Sequence, residues 1–206
     1  MKNENYANDL VLGIVSLGTL EMCRAYEDPF QGDAKEAMHS YNSGIIIGDG
    51  SDTNFQKIAR ALQISVSEDC YDISFINTHS SRKIEDAYVI CTSEFFIKED
   101  FKESFGDYCV EISDPDLFYS LISEALEKIF IIKSSSWGAV QYRERHFEGL
   151  DDPNGMIGFI KPEKYDSQNE IRFLWECINK DRSKIEKLDR LNINIPGIRA
   201  LCRRVL

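Results

Sequence analysis

Apolar positions recur at helical spacing most clearly in DPDLFYSLISEALEKIF. There Leu117, Leu121, Ile122, Ala125 and Ile129 form a stripe, and Asp114 or Asp116 is placed to cap the first turn. Ser123, Glu124 and Glu127 fall on the other face, so the pattern predicts a helix over 114–129 that packs on one side. A second helix is expected from Asn54 to about Leu62, with Phe55, Ile58, Ala59 and Leu62 on one stripe. Short runs rich in Val, Ile, Phe and Tyr read as strands: 41–47, 70–76, 87–93, 107–113, 137–143, 156–160 and 170–176. Gly, Asp, Asn and Pro punctuate them. The helices interrupt these strands irregularly, unlike the even alternation of a doubly wound parallel sheet. The expected class is α+β: one compact domain over residues 1–206, with few helices and a mixed or mostly antiparallel sheet. The 114–129 helix should cover a sheet built from 70–76, 87–93, 107–113 and 170–176, with loop-rich stretches at 27–40 and 144–155.

Composition narrows the functional classes. With 43% apolar and 29% charged residues, the 206-residue chain has ordinary globular usage. No apolar run reaches the roughly 18 residues of a membrane span. The start, MKNENYANDL, has no basic-then-apolar leader pattern, so a cytoplasmic chain without a membrane partner is expected. A net charge of −11 argues against a broad electrostatic grip on a phosphate backbone. The charge is uneven, however: residues 180–206 carry +5 and residues 94–128 carry −7. These segments read as two solvated faces of opposite sign, or the basic one as a docking surface for nucleic acid or for an acidic partner. The six cysteines (Cys23, Cys70, Cys91, Cys109, Cys177, Cys202) contain no Cys-x-x-Cys pair, and His39, His79 and His146 are widely spaced. Reduced thiols and no metal are expected.

Most catalytic signatures are missing. Gly48-Asp49-Gly50 lacks the helix with Lys and Ser or Thr that a phosphate loop needs, and there is no Gly-x-Ser-x-Gly or His-Glu-x-x-His. Three pieces remain. In KPEKYDSQNEIRFLWE, Gln168, Glu170 and Arg172 alternate with the apolar Ile171, Phe173 and Trp175, which puts amide, carboxylate and guanidinium on one strand face. A plain solvent-facing charge stripe has the same pattern. In AYVICTSEFF a strand delivers Thr92 and Ser93 to its end, where either could instead cap a helix near Glu94. In SLGTLEMCRAYEDPFQGD, Arg24 precedes Tyr26 and the acids Glu27 and Asp28, with which it could pair.

An Arg on an early strand, a strand ending in Thr-Ser and a late Gln-x-Glu, in this order, resemble the Arg–Ser–Glu pattern of ADP-ribosyltransferases. The resemblance implies NAD as substrate, with no metal, and an intracellular bacterial toxin or phage-defence effector that modifies a nucleic acid or a protein. It implies that Glu170 stabilises the oxocarbenium-like ribose and that Gln168 positions the acceptor. It further implies that Ser93 or Thr92 orients Glu170, that Arg24 meets a cofactor phosphate, and that Tyr26 or Tyr165 stacks on nicotinamide. An antitoxin or other protein partner would fit that setting. Two alternatives stay open. One is a nuclease, using Asp72, Asp86 and Glu170 around a cation or His79, Arg143, Arg145 and His146 without one. The other is a non-catalytic interaction module that meets a basic partner.

Overall fold

The computed structural model describes residues 4–26, 32–95, 106–151, 157–181 and 188–206. In chain order the elements begin with α1 (Glu4–Val11), β1 (Ile14–Thr19), α2 (Leu20–Ala25), β2 (Met38–Asn42), β3 (Ile45–Gly48) and α3 (Thr53–Ala61). Next come β4 (Ile73–Ile76), β5 (His79–Lys83), β6 (Tyr88–Ser93), β7 (Val110–Ile112), α4 (Pro115–Ile129) and β8 (Phe130–Ala139). The chain continues through β9 (Gln141–Tyr142), β10 (His146–Glu148), β11 (Ile160–Lys161), β12 (Glu170–Asn179), β13 (Leu191–Asn194) and β14 (Cys202–Arg204). The class is α+β with mostly antiparallel sheets, as expected. Contacts group the chain into two units that interleave in sequence. The first comprises 1–34, 85–140 and 168–206, and the second comprises 35–84 and 141–167.

The first unit is organised by a five-stranded sheet in the order β13-β1-β6-β12-β8, with every neighbouring pair antiparallel. Helix α4 covers one face. Asp114 caps it by accepting from the Leu117 N–H at 3.0 Å, and Pro115 occupies the first turn, where its missing N–H costs nothing. Its buried side chains are Phe118, Ile122 and Leu126, which meet Val15, Leu17, Tyr88, Phe173 and Trp175 in one core. The expected stripe is therefore rotated: Leu117 and Ile129 are exposed, and Phe118 takes the core position one turn before Ile122. The face assigned to solvent also contributes, since Ser123 accepts the Trp175 indole N–H at 2.8 Å. That contact satisfies a donor that is otherwise costly to bury.

The expected sheet is only half right. Strands β6 and β12 are neighbours, but β4 pairs with β3 in the second unit and β7 pairs with β14. Their places are filled by β1, β8 and β13. Run 41–47 is broken at Gly44, whose φ of 63° suits glycine and ends β2 before β3 begins. Run 137–143 divides between β8 and β9, and run 156–160 holds a 3-10 turn at Ile157–Phe159. The second unit contains a three-stranded sheet, β10-β2-β5, together with the β3–β4 and β9–β11 pairs. Its core joins Tyr41, Phe55, Ile58, Phe75, Phe147 and Ile160, with Phe55 stacked on Phe75 at 4.9 Å. Helix α3 turns Phe55, Ile58 and Ala59 inward, and Asp52 caps it through the N–H groups of Asn54 and Phe55.

All six cysteines are free; Cys70 and Cys91 are exposed, whereas Cys177 and Cys202 are buried. Burial pushes the Cys177 thiol up to about 12 and the Cys202 thiol up to about 11. Between an ordinary thiol value and these raised ones, the unfolded chain loses protons that the fold retains. Stability should therefore fall as pH rises from about 9 towards 12. Urea midpoints measured across that range should decline, and native thiol titration should modify Cys70 and Cys91 well before Cys177 and Cys202. The phase of α4 has its own test. Leu126→Ala should cost about 2–5 kcal/mol in urea unfolding, and Leu117→Ala less than about 1 kcal/mol.

Candidate functional site

The register between β6 and β12 places Glu170 opposite Ser93, and Arg172 opposite Cys91. Opposed residues of an antiparallel pair share a face, so Ser93, Cys91, Glu170 and Arg172 lie together while Thr92 and Ile171 project the other way. The Thr92 hydroxyl donates to the Ile171 carbonyl at 3.1 Å, a backbone tie between the strands. Of the two hydroxyls expected near Glu170, Ser93 is therefore the one that shares its face. The Ser93 hydroxyl lies 2.8 Å from the Gln168 carbonyl and 2.7 Å from that of Phe95. The Glu94 N–H donates to the Asn169 carbonyl at 2.9 Å, which straps the end of β6 to the entry of β12. On the other side, the Val140 N–H donates to the Glu170 carbonyl at 2.9 Å.

Glu170 and Arg172 are 4% and 1% exposed, and the guanidinium Nε donates to the carboxylate Oε1 at 2.7 Å. This overturns the solvent-facing stripe. Two charges at alternate positions of an inner strand have left water together, which is tolerable because each neutralises the other. Gln168 is also buried, at 8% exposure, but it does not sit where strand alternation would put it. It ends a 3-10 turn running Glu163–Gln168, and Asn169 follows at φ 43°. The left-handed residue breaks the two-residue period, so Gln168 and Glu170 are not same-face strand neighbours.

Arg24 is also placed differently from expectation. It lies in the last turn of α2 rather than on a strand, because Thr19 caps a helix at Leu20 by accepting from the Met22 N–H. Its guanidinium holds Glu21 at 2.6 Å and the Glu85 carbonyl at 2.6 Å. Glu27 and Asp28, the partners expected from sequence, lie outside the described residues. Glu85 precedes β6 and Ser93 ends it, so the length of that strand, roughly 17 Å at about 3.3 Å per residue, separates Arg24 from Glu170. Asp86 sits at the same far end and accepts from the N–H groups of Glu21 and Ala87. The acids proposed for a cation therefore do not converge: among the described residues, no group of three or more His, Cys, Asp or Glu is arranged to hold a metal. Tyr26 is half-exposed at the end of α2. Tyr165 is buried in the second unit, with Lys161 and Lys164 ammonium groups 5.4 and 4.7 Å from its ring centre.

A second cluster, on the exposed face of the three-stranded sheet, was harder to read from sequence. His146 pairs with Ser40 and Ser40 with Ser81; Glu148 pairs with Asn42 and Asn42 with His79. Both histidines therefore face the same way although 67 residues separate them. The Ser40 hydroxyl is 2.9 Å from His146 Nδ1, and His146 Nε2 is 3.3 Å from Glu148 Oε1. The available signal was period-two polarity in Ser40/Asn42, His79/Ser81/Lys83 and His146/Glu148. The arginines do not join that face as free cations. Arg145 is half-buried and held by the Ile160 and Lys35 carbonyls and Glu36, and Arg143 pairs with Asp151 while lying 4.9 Å over the Phe147 ring.

No protein-family model matches this chain, and no curated protein or solved structure matches it. No helix among the described residues is long and apolar enough to cross a membrane.

The buried ion pair makes a distinct stability prediction. Arg172→Leu should cost about 3–5 kcal/mol because it strands the carboxylate. Combining it with Glu170→Leu should recover much of that loss. Chemical denaturation of the two single variants and the double variant measures the coupling.

Proposed function

We propose that the protein is an NAD-dependent ADP-ribosyltransferase that modifies a macromolecular acceptor, protein or nucleic acid, as a toxin or defence effector. The supporting observation is the cross-strand apposition of Ser93 and Glu170, 77 residues apart in sequence, at the shared end of β6 and β12. Strand order adds support, since β1, β6 and β12 are consecutive neighbours. In this reading Glu170 accepts a ribose hydroxyl and stabilises positive charge as the nicotinamide–ribose bond breaks. Nicotinamide leaves with the bonding pair, and the acceptor's nucleophile bonds to the same ribose carbon and gives up its proton. Arg172 positions the carboxylate. Ser93 holds the Gln168–Asn169 strap, whose movement admits the ribose to a carboxylate that is otherwise enclosed. Arg24 is left out of the phosphate contact because Glu21 and the Glu85 carbonyl already engage it.

Incubation of the full chain with labelled NAD and a cell lysate, followed by separation of protein from nucleic acid, tests the reading. Label should enter one fraction. Glu170→Gln, which keeps an acceptor for Arg172, should lower transfer about 10²–10³-fold while NAD binding survives. Absence of both NAD consumption and label transfer by the wild-type chain would reject it. A second reading has one observation in its favour: His79 and His146 on a common exposed face suit metal-free acid–base cleavage of RNA. It requires RNA breakdown in chelator that is lost in both His79→Ala and His146→Ala.

A further inference from the structure

The β3–β4 pair is apolar on both faces. Ile46, Ile73 and Phe75 turn towards the second unit's core, and the opposite face presents Ile45, Ile47 and Ile76, which are 74%, 72% and 63% exposed. Ile45 stands directly across from Ile76, and Ile47 follows Ile45 on the same side, so the three side chains are contiguous. Such a patch on a short two-stranded sheet resembles an interface more than a solvated surface. At one end of the pair, where Gly48 opposes Ile73, the chain supplies acids. Asp49 accepts from the Asp72 N–H at 2.9 Å, and the Gly50 N–H donates to the Cys70 carbonyl at 2.8 Å. These bonds hold residues 67–72 beside residues 49–50, bringing Asp69 and Asp72 alongside Asp49. Tyr71, 71% exposed, stands among them. The Ser67 hydroxyl donates to Asp69 and holds its carboxyl below the ordinary range. Glu68 belongs to the α3 side, where it lines a cavity with Gln56 and Arg60, so the acids left at this end are Asp49, Asp69 and Asp72.

We infer that the outward face of β3–β4 is a docking surface for a partner protein's segment that combines β-branched or other apolar side chains with Lys or Arg. Charge complementarity selects this occupant: the isoleucines would take its apolar side chains while Asp49, Asp69 and Asp72 meet its cations beside the Tyr71 ring. The inference is independent of the proposed transferase activity and uses none of its residues.

A fluorescein-labelled short peptide of alternating valine and lysine, compared with its valine–glutamate counterpart, is the probe, with anisotropy read on the full chain. The lysine peptide should bind saturably and at least about tenfold tighter than the glutamate peptide. Ile45→Thr with Ile47→Thr keeps β-branching and net charge, and should weaken binding at least about tenfold with unchanged circular dichroism. Asp69→Asn with Asp72→Asn should weaken it and flatten its salt dependence, whereas Glu124→Gln with Glu127→Gln on α4 should leave it unchanged. Equal binding of the two peptides would overturn the proposal. So would indifference to the isoleucine changes, or equal weakening by the α4 pair, which would mark general attraction to an acidic protein. Sedimentation showing a wild-type dimer that the isoleucine changes dissociate would assign the face to a second copy and likewise overturn it.

Discussion

Strand β12 is hydrogen-bonded along both edges, to β6 and to β8, and six of its ten residues are buried, Glu170 and Arg172 among them. One face solves the problem with Phe173, Trp175 and Cys177 against the α4 core. The other begins with Glu170 and Arg172, charges that an inner strand can carry only as a pair. The candidate chemistry of the first unit inherits its geometry from this constraint. Fixing Arg172 against Glu170 orients the carboxylate, and the register that holds both strands brings Ser93 to it.

What was legible in the sequence was local. The α4 helix, with Asp114 and Pro115 at its start, and α3, with its Phe55–Ile58–Ala59 stripe, carry their own caps and periodicity, and the structure forms both. The Thr-Ser end of β6 and the apolar reverse of β12 were equally visible. Pairing was not. Strand β1 alternates buried Val15 and Leu17 with Ser16 and Gly18, but nothing in that short run names its partner: Ile14 lies across from Asn194, about 180 residues away. No local rule selects such a partner.

The errors at the site have the same origin. Reading Gln168 as a same-face neighbour of Glu170 assumed a continuous strand, and a single left-handed residue, Asn169, cancels that assumption. Reading Arg24 as a strand residue ignored the cap that Thr19 offers to the next turn. Burial misled in a third way, since a polar alternation reads as solvent-facing until the strand proves to be internal. The two histidines of the exposed sheet show the converse: each looks isolated in sequence, and only the β10-β2-β5 order joins them.

The interleaving of the units has a consequence for the order of synthesis. The second unit draws its last residue from position 167, so all of its strands exist before β12 has been translated. The first unit, by contrast, has its earliest strand and its helix α4 waiting for β12, a middle strand, and β13, an edge strand, both of which follow residue 167. During that interval β1 and β6 hold only each other, and the apolar stripe of α4 has no completed sheet to cover. Until β12 is made, the β6 edge that it occupies in the fold has no partner. In that window, premature pairing or chaperone capture competes most directly with the native fold.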